Sequence, residues 1–187
     1  MKVLFKSFLR SEKGSNLIEF AFVAPIFLTI LIGLFDLGAM LIVQNSLDAG
    51  ARAASRFGLT GASNGLPRDD AIRKEVLDTV DTYSGGIAKR ANVIIAVEAY
   101  NDISSLDKPE PFDDVNTNGA YDVGEFYVDI NGSGSWDEDQ GTVGSFGAPG
   151  QAVKYTISYD WNSFLGLFGF QKKIHLIGTA TIQNENF

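Results

Sequence analysis

The segment from Asp107 to Gln140 carries ten carboxylates against one lysine, a local charge of −9 in a 187-residue chain whose total is −8. Concentrated carboxylate of this kind suits a hard cation held by oxygen ligands. The spacing is more specific than the charge. D-V-N-T-N-G-A-Y-D-V-G-E, Asp114 to Glu125, fits a twelve-residue calcium loop position by position. Asp114, Asn116, Asn118, the carbonyl of Ala120, Asp122 and a bidentate Glu125 would supply oxygen, and Gly119 the sharp turn at position six. D-I-N-G-S-G-S-W-D-E-D-Q, Asp129 to Gln140, repeats the pattern 15 residues later. There Asp129, Asn131, Ser133, Ser135 and Asp137 align, with Gly134 at the turn and Trp136 in place of Tyr121. Gln140 stands at position twelve, where a neutral amide replaces the bidentate carboxylate. The second loop is therefore expected to bind more weakly, or to recruit Glu138 or Asp139.

No amphipathic helices flank the two loops. They resemble the tandem calcium loops of dockerin-like and thrombospondin-type-3-like modules, which implies calcium in the weak extracellular range, about 10⁻⁴–10⁻³ M. The competing reading is an acidic, disordered loop, against which stands glycine at position six in both repeats.

Other chemistry is sparse. His175 is the single histidine and lies in an alternating strand pattern, where a surface or hydrogen-bonded role is expected. No serine occupies G-x-S-x-G and no glycine-rich loop is placed to cradle phosphate, so the chain is not expected to be an enzyme. It has no cysteine, which excludes disulfides and thiolate metal sites. No basic stripe with interleaved aromatics occurs, so nucleic-acid binding is not expected.

These residues need an anchor and a frame. From Phe20 to Phe35 the chain is uncharged, and apolar character resumes after Asp36 to Val43. Leu17–Val43 exceeds the roughly 20 residues that a bilayer core requires. Its all-round apolarity argues against a buried helix of a soluble domain. Its length argues against a cleaved secretory signal, although Ala49-Gly50-Ala51 could mimic a cleavage site. Lys2, Lys6, Arg10 and Lys13 precede the run with Glu12 alone against them, which predicts a cytoplasmic N-terminus and an exported bulk. Glu19 and Asp36 lie 17 residues apart, roughly 25 Å at the helical rise, so both fall near the hydrocarbon edges. Asp36 reads there as an interfacial residue.

The segment K-G-S-N-L-I-E-F, Lys13 to Phe20, resembles the processing site of type IV pilin-like proteins. With the apolar run and the following F-D-L-G-A-M-L-I-V-Q-N-S-L-D-A-G-A-R-A-A-S-R-F-G, it resembles the TadE family, minor pilins or pseudopilins of the tight-adherence (Flp) pilus. T-A-T-I-Q-N-E, Thr179 to Glu185, is similar to that family's closing strand; the middle of the chain has no such likeness. The resemblance implies cleavage by a prepilin peptidase after Gly14, with Ser15 as the new N-terminus, Glu19 as the fifth mature residue and Phe20 beside it. Glu19 would then pair with the α-amino group of a neighbouring subunit, in keeping with the need of an intramembrane carboxylate for a partner. Other pilin-like subunits, inner-membrane platform proteins and the bilayer are the implied partners. The implied location is a bacterial inner membrane, crossed once, with the domain in the periplasm or on a pilus. The alternative on the residues is a membrane-tethered, calcium-dependent adhesin or sensor outside any pilus.

Asp48, Arg52 and Arg56 predict a solvated face of a continuing helix, broken at Gly58, Gly61, Asn64 and Gly65. A second helix is expected from Pro67 and Asp69 to Gly85-Gly86, with Ile72, Val76, Leu77, Val80 and Tyr83 facing a sheet. Strands are expected at Asn92–Tyr100, Ala152–Trp161 and Lys173–Gln183. Ser163–Phe170 is unusually apolar for a linker, to be covered by the domain, dipped into the membrane surface or met by a partner. The fold class is α+β: a basic leader over 1–14, a transmembrane helix and its extension over 15–58, and an exported domain over 59–187. In that domain helices pack on a small antiparallel sheet, with the acidic calcium-loop insert at about 107–141.

Overall fold

The computed structural model describes residues 12–60, 66–170 and 172–184. The leader residues Lys2, Lys6 and Arg10 lie outside the described residues, as do the side chains at 12–16. The first helix, α1, runs unbroken over Glu12–Thr60. It is followed by α2 (Arg68–Ser84), β1 (Val93–Tyr100), β2 (Thr142–Val143), β3 (Ala152–Asn162) and β4 (Lys173–Gln183). The four strands form one antiparallel sheet in the order β2-β1-β3-β4. The chain is α+β, as its periodicity predicts, and among the described residues one helix is long and apolar enough to cross a membrane.

Two compact units emerge. One holds the described residues up to Leu41 together with Trp161–Ile174; the other holds Ile42–Asp160 and His175 onward.

In the larger unit α1 becomes amphipathic. Val43, Ser46, Leu47, Gly50, Ala51 and Ala54 are buried at helical spacing. Two glycines set its contacts. A Cβ at Gly178 of β4 would lie 2.5 Å from the carbonyl carbon of Leu47 and 2.6 Å from the amide of Asp48, so strand and helix backbones touch there. A Cβ at Gly50 would lie 2.8 Å from Val80 Cγ2 and 3.4 Å from Val76 Cγ1, so α2 packs one turn further along. Gln44 adds a bond from its side-chain amide to the carbonyl of Ile177, at 2.8 Å.

Helix α2 ends at Gly85 in the left-handed conformation, φ 60°. Its buried positions are Ala71, Ile72, Val76, Val80 and Ser84. Tyr83, expected to face a sheet, is instead 66% exposed, because Ser84 rather than Tyr83 continues the 72-76-80 stripe. In the sheet, β1 and β3 pair from Val93 opposite Tyr159 to Tyr100 opposite Ala152. Tyr100, Tyr155, Ile157 and Val153 are its largest buried side chains, beside Val97 and Leu176.

The two-residue β2 pairs with the end of β1, Thr142 opposite Ala99 and Val143 opposite Glu98. The acidic insert thus leaves the sheet at Tyr100 and returns beside the residue before it. Its stem is pinned. The Tyr100 hydroxyl donates to Asp139 Oδ2 at 2.9 Å, the ring fills the space a side chain at Gly141 would need, and Lys154 pairs with Asp107.

Candidate functional site

Within the insert each predicted loop closes on its own first aspartate. Asp114 accepts the amides of Asn118 at 3.1 Å and Gly119 at 2.8 Å. Asp129 accepts those of Gly132 at 2.7 Å, Ser133 at 3.1 Å and Gly134 at 3.0 Å. Gly119 and Gly134 take φ 79° and 81°, the left-handed turn expected at position six. Position four is left-handed too, as Gly132 in the second loop but as Thr117 (φ 57°) in the first.

Oxygen-bearing side chains converge across each loop. In the first, Asn116 and Asn118 donate their Nδ2 groups to Asp122 Oδ2 at 2.6 and 2.8 Å, while Asn118 Oδ1 accepts from Ala120 N–H at 2.8 Å. In the second, Asn131 Nδ2 donates to Asp137 Oδ2 at 3.0 Å, and the Ser133 hydroxyl lies 2.5 Å from the same oxygen and 2.9 Å from the Ser135 carbonyl. The bonds from Ser133 and Asn131 hold the Asp137 carboxyl below the usual carboxylate range. Among the described residues no group of three acidic, histidine or cysteine side chains is arranged to hold a metal ion. The converging donors are carboxylates interleaved with amides and a hydroxyl.

Position twelve is where sequence and structure part. Glu125 closes the first loop: Val115 N–H, position two, donates to its Oε1 at 3.0 Å, and Asp122 N–H, position nine, to its Oε2 at 3.0 Å. In the second loop Glu110 makes the equivalent bonds. Ile130 N–H, position two, donates to its Oε1 at 2.6 Å, and Asp137 N–H, position nine, to its Oε2 at 3.3 Å. Asn131 N–H adds a third bond at 3.3 Å, and Glu110 is fully buried. Gln140, the residue that loop counting puts there, is buried instead, and its main-chain N–H donates to the carbonyl of Lys108 at 3.0 Å. Asp139, the suggested substitute, is committed to Tyr100 and to the amide of Gly141. That carboxylate and its neighbours Glu98 and Asp107, after burial itself, push the Tyr100 phenol far above its ordinary pKa and keep it a donor.

The signal for Glu110 lies in the repeat. Extended four residues ahead of each loop, the 15-residue period places Glu110 over Glu125. The two copies pair reciprocally: Asp113 N–H donates to Phe126 O at 2.8 Å, and Val128 N–H to Pro111 O at 2.9 Å. Tyr121 and Trp136, both at position eight, stack with centroids 4.7 Å apart and planes 14° off parallel. Phe112 and Tyr127, the next equivalent pair, meet them edge-on. Four aromatic rings thus form a core private to the insert, and the Trp136 indole N–H donates to the carbonyl of Glu110 at 2.9 Å.

The second candidate surface is on the smaller unit. The Gly14–Ser15 bond lies in the first turn of α1. Glu19 and Phe20 are both exposed on its side. Asp36, read from the sequence as interfacial, is covered by the chain itself. It is buried, and accepts the Trp161 indole N–H at 2.9 Å and the Ser163 hydroxyl at 2.5 Å. Ser163 opens a 3₁₀ turn, Phe164–Phe168, that ends at Gly169 in the left-handed conformation. His175, in the larger unit, pairs with Asp160 at 2.8 Å on an exposed strand face, the hydrogen-bonded role expected of it.

A helix long and apolar enough to cross a membrane, together with a small antiparallel sheet, defines an α+β class of protein with a candidate membrane span. Residues 14–56 match the family model described as TadE-like protein, so over that segment the chain is similar to a family tied to the tight-adherence pilus system. The match covers most of α1 and neither the sheet nor the acidic insert. No curated protein and no solved structure matches the chain.

Proposed function

We propose that the chain is a minor pilin or pseudopilin-like structural protein that takes part in assembling a tight-adherence pilus. The observation that carries this reading is α1 itself. The processing-like residues Gly14, Ser15, Glu19 and Phe20 and the exposed apolar surface that follows them belong to one continuous helix. Such a surface suits lipid and other pilin-like helices. A prepilin peptidase would cut after Gly14 on the cytoplasmic face, the basic leader setting that orientation. Glu19 would then face the new amino group of a neighbouring subunit. The role is structural rather than enzymatic, and the partners are pilin-like subunits and the inner-membrane platform. Mass spectrometry of the protein from its native membrane tests the cleavage. A mature species beginning at Ser15 is expected, and an N-terminus at Met1 alone would refute it.

The insert fits calcium on the chemistry of its donors. With Glu110 bonded to the second loop, three carboxylates per loop would have to draw together around an ion: Asp114, Asp122 and Glu125, and Asp129, Asp137 and Glu110. Amide, hydroxyl and carbonyl oxygens from Asn116, Asn118, Ala120, Asn131, Ser133 and Ser135 complete the two sets. The bound ion would neutralise these carboxylates and order the insert around its aromatic core. This paired arrangement also favours the second reading, a membrane-tethered calcium-dependent adhesin or sensor. Loss of pili on deletion of the gene supports the pilus role; lost adhesion with pili intact supports the other.

A further inference from the structure

We infer that the turn between β3 and β4 is a second membrane contact, a foot that rests in the lipid interface beside the spanning helix. The inference rests on the reading that α1 crosses the bilayer. The 19 residues Leu17–Phe35 measure about 28 Å at 1.5 Å per residue, which is the thickness of the hydrocarbon core. Gly33 to Leu37 therefore stand at its outer edge. The turn is packed against that level. Leu165 Cδ1 lies 3.7 Å from where a Cβ at Gly33 would be, so the leucine rests against the helix there. A cavity of about 240 Å³ between turn and helix is lined by Gly33, Leu37, Met40, Leu165, Phe170 and Ile174.

The turn nevertheless leaves large rings uncovered. Phe164 is 56% and Phe170 61% exposed, in the same unit as Phe35 of the helix at 77%. If the helix spans, Phe35 is in lipid, and Phe170, which shares a cavity wall with Leu37, is at the same depth. The flanks have interfacial chemistry. Trp161 carries its N–H to Asp36, and Lys172 and Lys173 are exposed just after the turn, suited to headgroup phosphates. The buried Asp36 has the complementary use. By accepting the Trp161 indole N–H and the Ser163 hydroxyl, it satisfies polar groups that the turn would otherwise bring unpaired to the edge of the hydrocarbon. The occupant of the exposed face is the bilayer.

The chain has no cysteine, so one introduced thiol can carry a nitroxide. Full-length protein in phosphatidylethanolamine/phosphatidylglycerol nanodiscs is labelled at Phe164→Cys or Phe170→Cys, with Phe22→Cys as a mid-span control and Val123→Cys as a control on the insert. Collision with oxygen and with a water-soluble nickel chelate is then measured. The expected oxygen-to-nickel ratio at 164 and 170 is several-fold above that at 123 and approaches that at 22. A ratio equal to that at 123, with 22 still in lipid, overturns the foot and leaves the span intact. Exclusion of both reagents at 164 and 170 means a protein cover, and also overturns it. Water at position 22 overturns the span and the foot together. As a second readout, lipids brominated near the headgroup should quench Trp161 in a Trp136→Phe background, and unquenched emission counts against the proposal.

Discussion

Glu110 and Glu125 stand 15 residues apart and accept hydrogen bonds from the same two positions of opposite loops, Glu125 from Val115 and Asp122, Glu110 from Ile130 and Asp137. Each is the fourth residue before one loop and the closing carboxylate of the other. Glu125 thus closes the loop it belongs to, whereas Glu110 reaches past the first loop to the second, so damage to Glu110 crosses the repeat.

This exchange gives the sharpest calcium prediction. Calorimetry of the wild type should resolve two sites in the millimolar range or tighter. Glu110→Gln should weaken one of them about tenfold or more, the scale seen when a carboxylate that holds a metal loop is lost, and Glu125→Gln the other. Gln140→Glu should leave affinity no higher. A gain on Gln140→Glu, or indifference to Glu110→Gln, would return position twelve to the residue that counting assigns.

The glycine contacts of α1 predict an order of severity. Gly178→Ala drives a methyl into helix backbone and should cost about 2–3 kcal/mol, while Gly50→Ala meets mainly the movable tip of Val80 and should cost about 1 kcal/mol. Thermal unfolding of the detergent-solubilised protein ranks them, and the reverse order would contradict the packing described.

Asp36→Ala removes the shared acceptor of Trp161 and Ser163 and strands both donors. The expected loss is about 2–3 kcal/mol, the range for bonds to a charged group. Its first sign should be faster amide exchange over residues 161–174, with the insert unaffected. Unchanged exchange there would show that the turn does not depend on this carboxylate.

Thr117 occupies a left-handed position that its counterpart Gly132 fills without strain. Thr117→Gly should therefore be neutral or stabilising by up to about 1 kcal/mol, the relief of strain being offset by unfolded-chain entropy. A clear destabilisation in chemical denaturation would argue that the Thr117 hydroxyl bond to the Asn116 carbonyl matters more than the backbone.

Much of the frame was legible because it depends on local pattern. The 72-76-80 stripe, the alternation of Lys173–Gln183 and the fixed spacing of Asp114 to Glu125 each declare themselves over a dozen residues. The likeness of Lys13–Gly58 to TadE proteins was legible for the same reason. What escaped depends on distance. Asp36 finds its donors on Trp161 and Ser163, more than 120 residues away, which no local pattern encodes. β2 is two residues long and exists only as the partner of Glu98 and Ala99. Glu110 was hidden differently: its carboxylate serves a loop that begins 19 residues later, and only the full 15-residue period reveals it.

The stem of the insert has a consequence for how such a chain can change. Because Tyr100 and Thr142 straddle the same pairing with Ala99, everything between them is a graft on a closed hairpin. A graft with its own aromatic core and reciprocal strand bonds can be lengthened, exchanged or excised without shifting the register of β1 against β3. The long helix and sheet can thus stay constant while the surface they carry diversifies.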